Sequence, residues 1–141
     1  MAKEEITPSE WQIMEVLWAC GKPLTSSEVY KRMQGSVDMS MRMVRVLMNR
    51  LNRKDILGYT VDKHDSRVYH YYVQRSREEC VKEKSRKFVD SYFSGNGTNA
   101  MTALLQSFDL TDEQIGELEE ILEKSRERGT ESKDKEGGTH A

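Results

Sequence analysis

Apolar residues recur along the chain with two different periods, and the change of period marks out its elements. Trp11, Met14, Val16, Leu17 and Trp18 follow Thr7-Pro8-Ser9-Glu10. Thr7 is placed to cap, Pro8 suits the first helical position, and Glu10 can reach back as a capping box. The pattern predicts a helix to about Cys20, apolar on more than one side and therefore enclosed by neighbours, with Gly21-Lys22-Pro23 ending it. A second box, Thr25-Ser26-Ser27-Glu28, opens a short helix through Val29, Tyr30 and Met33 that Gly35 closes. From Ser40, a plausible cap, to Asp55 the residues Met41, Val44, Leu47, Met48 and Leu51 share one side at helical spacing, while Arg42, Val46, Asn49 and Arg53 take the other.

After Asp55 the period shortens to that of strands. Ile56 to Lys63 and Arg67 to Val73 are rich in β-branched and aromatic residues and are separated by His64-Asp65-Ser66, which predicts a β-hairpin. Ser76-Arg77-Glu78-Glu79 then starts a long helix to Phe93, Ser94 to Asn99 breaks it, a short helix runs from Ala100 to about Phe108, and Thr111-Asp112-Glu113-Gln114 begins the last. The expected fold is mainly α with a small β-hairpin: a winged helix-turn-helix over 1–75, a helical dimerisation region over 76–127, and a disordered tail over 128–141, where apolar residues run out. Residues 1–6 are expected to fray.

Charge sharpens this division. The net charge of −2 looks wrong for a nucleic-acid binder, but residues 1–75 carry 12 Lys and Arg against 9 Asp and Glu, a net of +3, and residues 76–141 carry 10 against 15, a net of −5. Such asymmetry is expected where only the first part approaches a polyanion. Arginine forks and an amide on one helix face match guanine and adenine edges and phosphate oxygens. Ser40, Arg42, Met43, Arg45, Val46, Asn49, Arg50 and Arg53 are therefore the candidate DNA-binding residues of the basic helix, joined by Lys63 and Arg67 near the hairpin tip. Among them Arg42, Met43, Val46 and Asn49 are expected to meet bases, and Arg45, Arg50, Arg53, Lys63 and Arg67 to hold phosphates. The plainer alternatives are a solvated face on an ordinary amphipathic helix and a hairpin that only covers the core.

The carboxy-terminal helices carry apolar stripes too narrow for a core of their own. Val81, Phe88, Val89, Tyr92, Phe93, Leu104, Leu105, Phe108, Ile115, Leu118, Ile121 and Leu122 are expected to pack against the same residues of a second copy, making a homodimer. Chemistry is sparse. His64, His70 and His140 have no metal-ligand spacing, Cys20 and Cys80 form no C-x-x-C, and no glycine-rich phosphate loop occurs. Neither an enzyme nor a bound cofactor or metal is expected. The methionines crowded around the basic helix are better explained as packing, except Met43 on its outward side. No run of about 18 apolar residues occurs and no charged segment precedes an apolar one, so a cytoplasmic protein is expected.

The segments Ile6-Thr7-Pro8-Ser9-Glu10-Trp11-Gln12-Ile13-Met14-Glu15-Val16-Leu17-Trp18, Val44-Arg45-Val46-Leu47-Met48-Asn49-Arg50-Leu51 and Tyr69 to Tyr72 resemble the penicillinase repressor family of bacterial regulators (BlaI/MecI type), which also includes copper-responsive repressors. The resemblance covers most of residues 6–125. It implies a homodimeric transcriptional repressor that binds a palindromic operator in double-stranded DNA and is released by an inducing signal. In antibiotic-responsive members a membrane sensor protease triggers cleavage at an Asn-Phe bond; Ser107-Phe108 occupies the similar position here, with Ser in place of Asn. Family members often have Thr where this chain has Met43 and Val46, so the operator sequence does not carry over. The paired C-x-C motifs of copper-responsive members are missing, which leaves the inducer open. Two other readings compete: a winged-helix module that binds an acidic protein instead of DNA, and a one-component sensor of a small ligand or metal.

Overall fold

The computed structural model describes residues 5–139. The elements run α1 (Pro8–Cys20), α2 (Ser26–Met33), α3 (Met41–Arg53), β1 (Leu57–Val61), β2 (Tyr69–Val73), α4 (Arg77–Phe93), α5 (Gly97–Ser107) and α6 (Asp112–Thr139). The chain divides into two compact units, 1–88 and 89–141. The division falls inside α4 instead of at 75/76, because the first turns of α4 are fastened to the first unit. Cys80 is buried there, Arg75 pairs with Glu83, and the Arg77 Nε donates to the Glu15 carboxylate at 2.6 Å. Arg75 is held firmly protonated, first by its hydrogen bond to Glu83.

Both expected capping boxes are present, with Thr7 and Glu10 starting α1 and Thr25 and Glu28 starting α2. Gly21 ends α1 at φ 71°, a left-handed conformation that costs glycine little, and its N–H donates to the Leu17 carbonyl. The core of the first unit joins Ile13, Met14 and Leu17 of α1, Val29 and Met33 of α2, and Val44, Leu47, Met48 and Leu51 of α3. Ile56, Leu57 and Tyr71 close it from the hairpin. β1 and β2 pair antiparallel, Tyr59 opposite Tyr71. Leu24 adds a short third rung: its N–H donates to the Tyr71 carbonyl at 2.9 Å and its carbonyl accepts from Tyr71 at 2.8 Å. Nothing in the alternation around Leu24 signals this rung, which ties the loop before α2 to the wing.

Four expectations change. The strands are shorter than 56–63 and 67–73 because Asp62 takes over the turn, its Oδ2 accepting from the backbones of His64 at 2.9 Å and Asp65 at 3.1 Å. Residues 5 and 6 are not frayed. Ile6 is buried, its carbonyl accepts from Lys84 at 2.8 Å, and the Glu5 carbonyl accepts from Lys54 at 2.8 Å. In the second unit α5 starts at Gly97, three residues early, because Asn96 caps it by accepting from the Asn99 N–H. The backbone of α6 is helical through 128–139, where composition suggested an unstructured tail; residues 140 and 141 lie outside the described residues. No proline interrupts that stretch, and extending a helix costs far less than nucleating one.

Lys54, at the C-cap of α3, is withdrawn from the basic face altogether. Its Nζ lies 2.7 Å from Oε1 of Glu10, which is fully buried and also accepts from the Thr7 N–H at 2.8 Å. Burial pushes the Glu10 carboxyl up, but the Lys54 and Thr7 hydrogen bonds together outweigh it and hold the group below its ordinary range. The pair pins the start of α1 to the end of α3.

Candidate nucleic-acid interface

Ser40 starts α3, its Oγ accepting from the Met43 N–H at 3.1 Å and its carbonyl from Val44 at 3.0 Å. With the register fixed there, Val44, Leu47, Met48 and Leu51 point into the core and Met41 is half-buried. Arg42, Met43, Arg45, Val46, Asn49, Arg50 and Arg53 are all exposed, Met43 and Val46 by 47 % and 40 %. Met43 and Val46, three residues apart, put two apolar side chains on the same side of the helix as the arginines, where such groups can meet a thymine methyl. Among the described residues, Arg42, Arg45, Arg50 and Arg53 have no carboxylate partner. Four uncompensated guanidinium groups on one face make it strongly electropositive.

At the far end α3 is locked in place. Its last turn closes with the Asp55 N–H on the Asn52 carbonyl and the Ile56 N–H on the Leu51 carbonyl, both 3.0 Å, and Asp55 takes the left-handed conformation at φ 61°. The Asn52 Nδ2 donates to the Leu57 carbonyl at 2.9 Å, which fastens β1 to the helix. The direction in which the arginines point is thus set from the core and from both helix ends.

The hairpin tip carries Lys63 and Arg67, both exposed. The Arg67 guanidinium rests on Asp65, Nε to Oδ1 at 3.2 Å and Nη2 to Oδ2 at 3.4 Å. An ion pair this exposed is worth little and yields readily to a phosphate. Asp62 also binds His70, Oδ1 to Nε2 at 2.7 Å; that bond, followed by the His64 N–H, holds Asp62 below the ordinary carboxylate range.

An open groove separates α3 from the hairpin, and most of its walls escape the reading from sequence. Ser26 and Ser27 line it from the N-terminus of α2, Arg45 and Asn49 from α3, and Tyr59 and Tyr69 from the wing. The rings of Tyr59 and Tyr69 lie 4.6 Å apart at 40°, and Tyr71 flanks both at 6.1 and 6.3 Å. Hydroxyls, a helix N-terminus and an arginine converging on one groove suit an oxyanion. The signal was present: Tyr59, Tyr69 and Tyr71 share one strand face, and the serines directly follow a capping threonine.

Of the candidate dimerisation residues, Val81 and Phe88 lie in the first unit. Phe88, Tyr92, Leu104, Leu105, Phe108, Ile115, Ile121 and Leu122 are exposed, and Val81, Val89, Phe93 and Leu118 are half-buried. Ser107 is the last residue of α5, and Phe108 follows it with extended backbone and 64 % exposure. Among the described residues, no helix is long and apolar enough to cross a membrane.

Three packed helices followed by a two-stranded hairpin, with the third helix offering an unpaired basic face, define a winged helix. The sequence pattern of the penicillinase repressor family matches residues 6–124, and the chain belongs to that family. It is 26 % identical over 120 residues to the methicillin resistance regulatory protein MecI of Staphylococcus aureus strain N315, covering 85 % of this chain and 94 % of that one. It is 24 % identical over 124 residues to the penicillinase repressor of Bacillus licheniformis, covering 88 % and 94 %. Among solved structures, the S. aureus MepR-DNA complex superposes with a TM-score of 0.44 at 22 % identity, covering 74 % of this chain and 82 % of that one.

Proposed function

We propose that the protein is a homodimeric transcriptional repressor that binds an inverted-repeat operator and blocks the promoter sterically. The observation that carries this reading is the outward face of α3, where four arginines without carboxylate partners among the described residues share the exposed surface with Met43, Val46 and Asn49. Arg42 and Asn49 read base edges, Met43 and Val46 give apolar contacts, and Arg45, Arg50, Arg53, Lys63 and Arg67 neutralise phosphates. Ser26, Ser27, Tyr59 and Tyr69 add hydroxyls along the groove. Family membership supports the same reading.

One winged helix covers too little surface for tight specific binding, whereas two tethered copies add their energies. The exposed apolar residues of 88–122 support a second copy as the tether. Loss of that tether releases the operator. The position of Ser107-Phe108 where α5 ends, with Phe108 exposed and extended, supports cleavage there, triggered through a membrane sensor protease, as one route.

The test is selection of the purified protein against random duplex DNA, followed by anisotropy titrations at several salt concentrations. An inverted repeat bound by two chains is expected. Arg42→Ala or Asn49→Ala should cost about 1–3 kcal/mol on the selected site and relax preference at one position per half-site. Arg45→Ala should weaken all duplexes alike and reduce the salt slope by about one. Failure to enrich any sequence would overturn the reading and favour an acidic protein as the partner of α3.

A further inference from the structure

We propose that Met43 is an oxidation-sensitive contact, so that conversion of its thioether to the sulfoxide weakens DNA binding; this rests on the repressor reading above. The methionines divide sharply by burial. Met14, Met33 and Met48 are 0–3 % exposed in the core, Met39 is half-buried against it, and Met41 is half-buried. Met43 alone among the described methionines opens on the arginine face of α3, and Met101 opens in the second unit. Oxidants reach sulfur in proportion to exposure, so Met43 and Met101 react first while the core methionines are shielded.

The surroundings of Met43 give its oxidation a consequence. Val46 and Arg50, three and seven residues on, are exposed on the same side of α3 as Met43, where an apolar side chain is suited to a thymine methyl. A sulfoxide there is a strong acceptor placed among groove acceptors, and it must be desolvated to enter. The fold itself is spared: the Met43 backbone N–H stays on Ser40 Oγ, and the buried side chains of α3 are untouched. The step is a two-electron oxygen transfer. The sulfur lone pair attacks one peroxide oxygen, the O–O bond breaks, the S–O bond forms, and water leaves; sulfur is oxidised and hydrogen peroxide reduced. Methionine sulfoxide reductases reverse it.

The full-length protein is treated with graded hydrogen peroxide, sulfoxide at each methionine is quantified by peptide mass spectrometry, and affinity for the selected inverted-repeat duplex is measured on the same samples. Met43 sulfoxide should accumulate with Met101 and well ahead of Met14 and Met48, and the bound duplex should protect Met43 but not Met101. Affinity should fall about tenfold, the scale of one lost base contact, in step with Met43 oxidation. Methionine sulfoxide reductases A and B should restore it. Met43→Leu, which has no sulfur at this position, is compared only with itself: whatever affinity the substitution leaves should not change on peroxide treatment, while Met101→Leu keeps the response. The inference is overturned if protein oxidised at Met43 binds unchanged, or if Met43→Leu loses affinity on treatment as the wild type does. If the untreated protein binds no duplex, the repressor reading itself fails and this inference with it, a result the untreated sample tells apart.

Discussion

Removing Lys54 should strand a buried carboxylate, and the size and pH dependence of the damage can be worked from the structure. Lys54 is 11 % exposed in its side chain and Glu10 is fully buried, so their 2.7 Å contact lies in a site that water barely reaches. Among the described residues Oε2 of Glu10 has no hydrogen-bond partner, which leaves Lys54 and Thr7 as the groups that compensate the charge. Lys54→Met, similar in length and uncharged, should cost about 3–5 kcal/mol at neutral pH, the range for breaking a buried pair from one side. Glu10→Gln should cost less, about 1–3 kcal/mol, because the freed ammonium still donates to the Glu5 carbonyl. Glu10→Leu combined with Lys54→Met removes both charges and should cost only about 1 kcal/mol, chiefly the lost half of the Thr7 capping box. The pH dependence separates this account from simple loss of packing. In the wild type the Glu10 carboxyl is lowered, so its contribution is present above the ordinary carboxylate pKa and fades as pH falls through the lowered value. Without Lys54 burial dominates and raises that pKa, so the penalty of Lys54→Met should be largest near neutrality and shrink towards about pH 4.5. Urea unfolding followed by Trp11 and Trp18, both in the first unit, measures these differences. A cost below about 1 kcal/mol, or one unchanged between neutral and acid pH, would refute the reasoning.

Other expectations are simpler. Asp55→Gly should raise stability by up to about 1 kcal/mol in the same assay, since the residue sits at φ 61° where glycine is unstrained. Trp18→Phe keeps one aromatic ring but loses the pyrrole half of the indole with its hydrogen bond from Nε1 to the Arg75 carbonyl at 3.0 Å, and should cost at least about 1 kcal/mol by urea titration. Asp62 stabilises the wing tip above the ordinary carboxylate range and loses that effect as pH falls through its lowered pKa; Asp62→Ala should speed amide exchange at His64 and Asp65 at neutral pH. Leu105→Glu should shift the protein towards single chains in sedimentation and weaken duplex binding without altering the first unit's unfolding midpoint.

The helices of the first unit were legible because their starts are written locally: a capping threonine with glutamate three residues on needs nothing from the rest of the chain. The outward arginines were legible because α3 buries an unbroken apolar stripe that leaves only one face for them. The buried pairing of Lys54 with Glu10 was not legible, because helical spacing assigns a side chain to a face but not to a partner 44 residues away. Ile6 and the Leu24–Tyr71 rung were missed for the same reason, since each depends on a contact made only when distant segments meet. Tyr59 and Tyr69 carried a visible alternation, yet the groove they line exists only once the hairpin folds back beside α2 and α3.

The anchoring of the first turns of α4 to residues 5–88 has a consequence for how such a regulator can be switched off. If the proposed dimer is severed at Ser107-Phe108, each chain keeps Cys80, Glu83 and Lys84 with its winged helix, so each head should survive as an intact reader of its proposed half-site. What disappears is local concentration. A tethered second head meets its half-site at an effective concentration on the order of millimolar, whereas a severed head must find it from bulk solution at the protein's cellular level. Derepression then needs no unfolding and no ligand in the DNA groove, only the cutting of a leash.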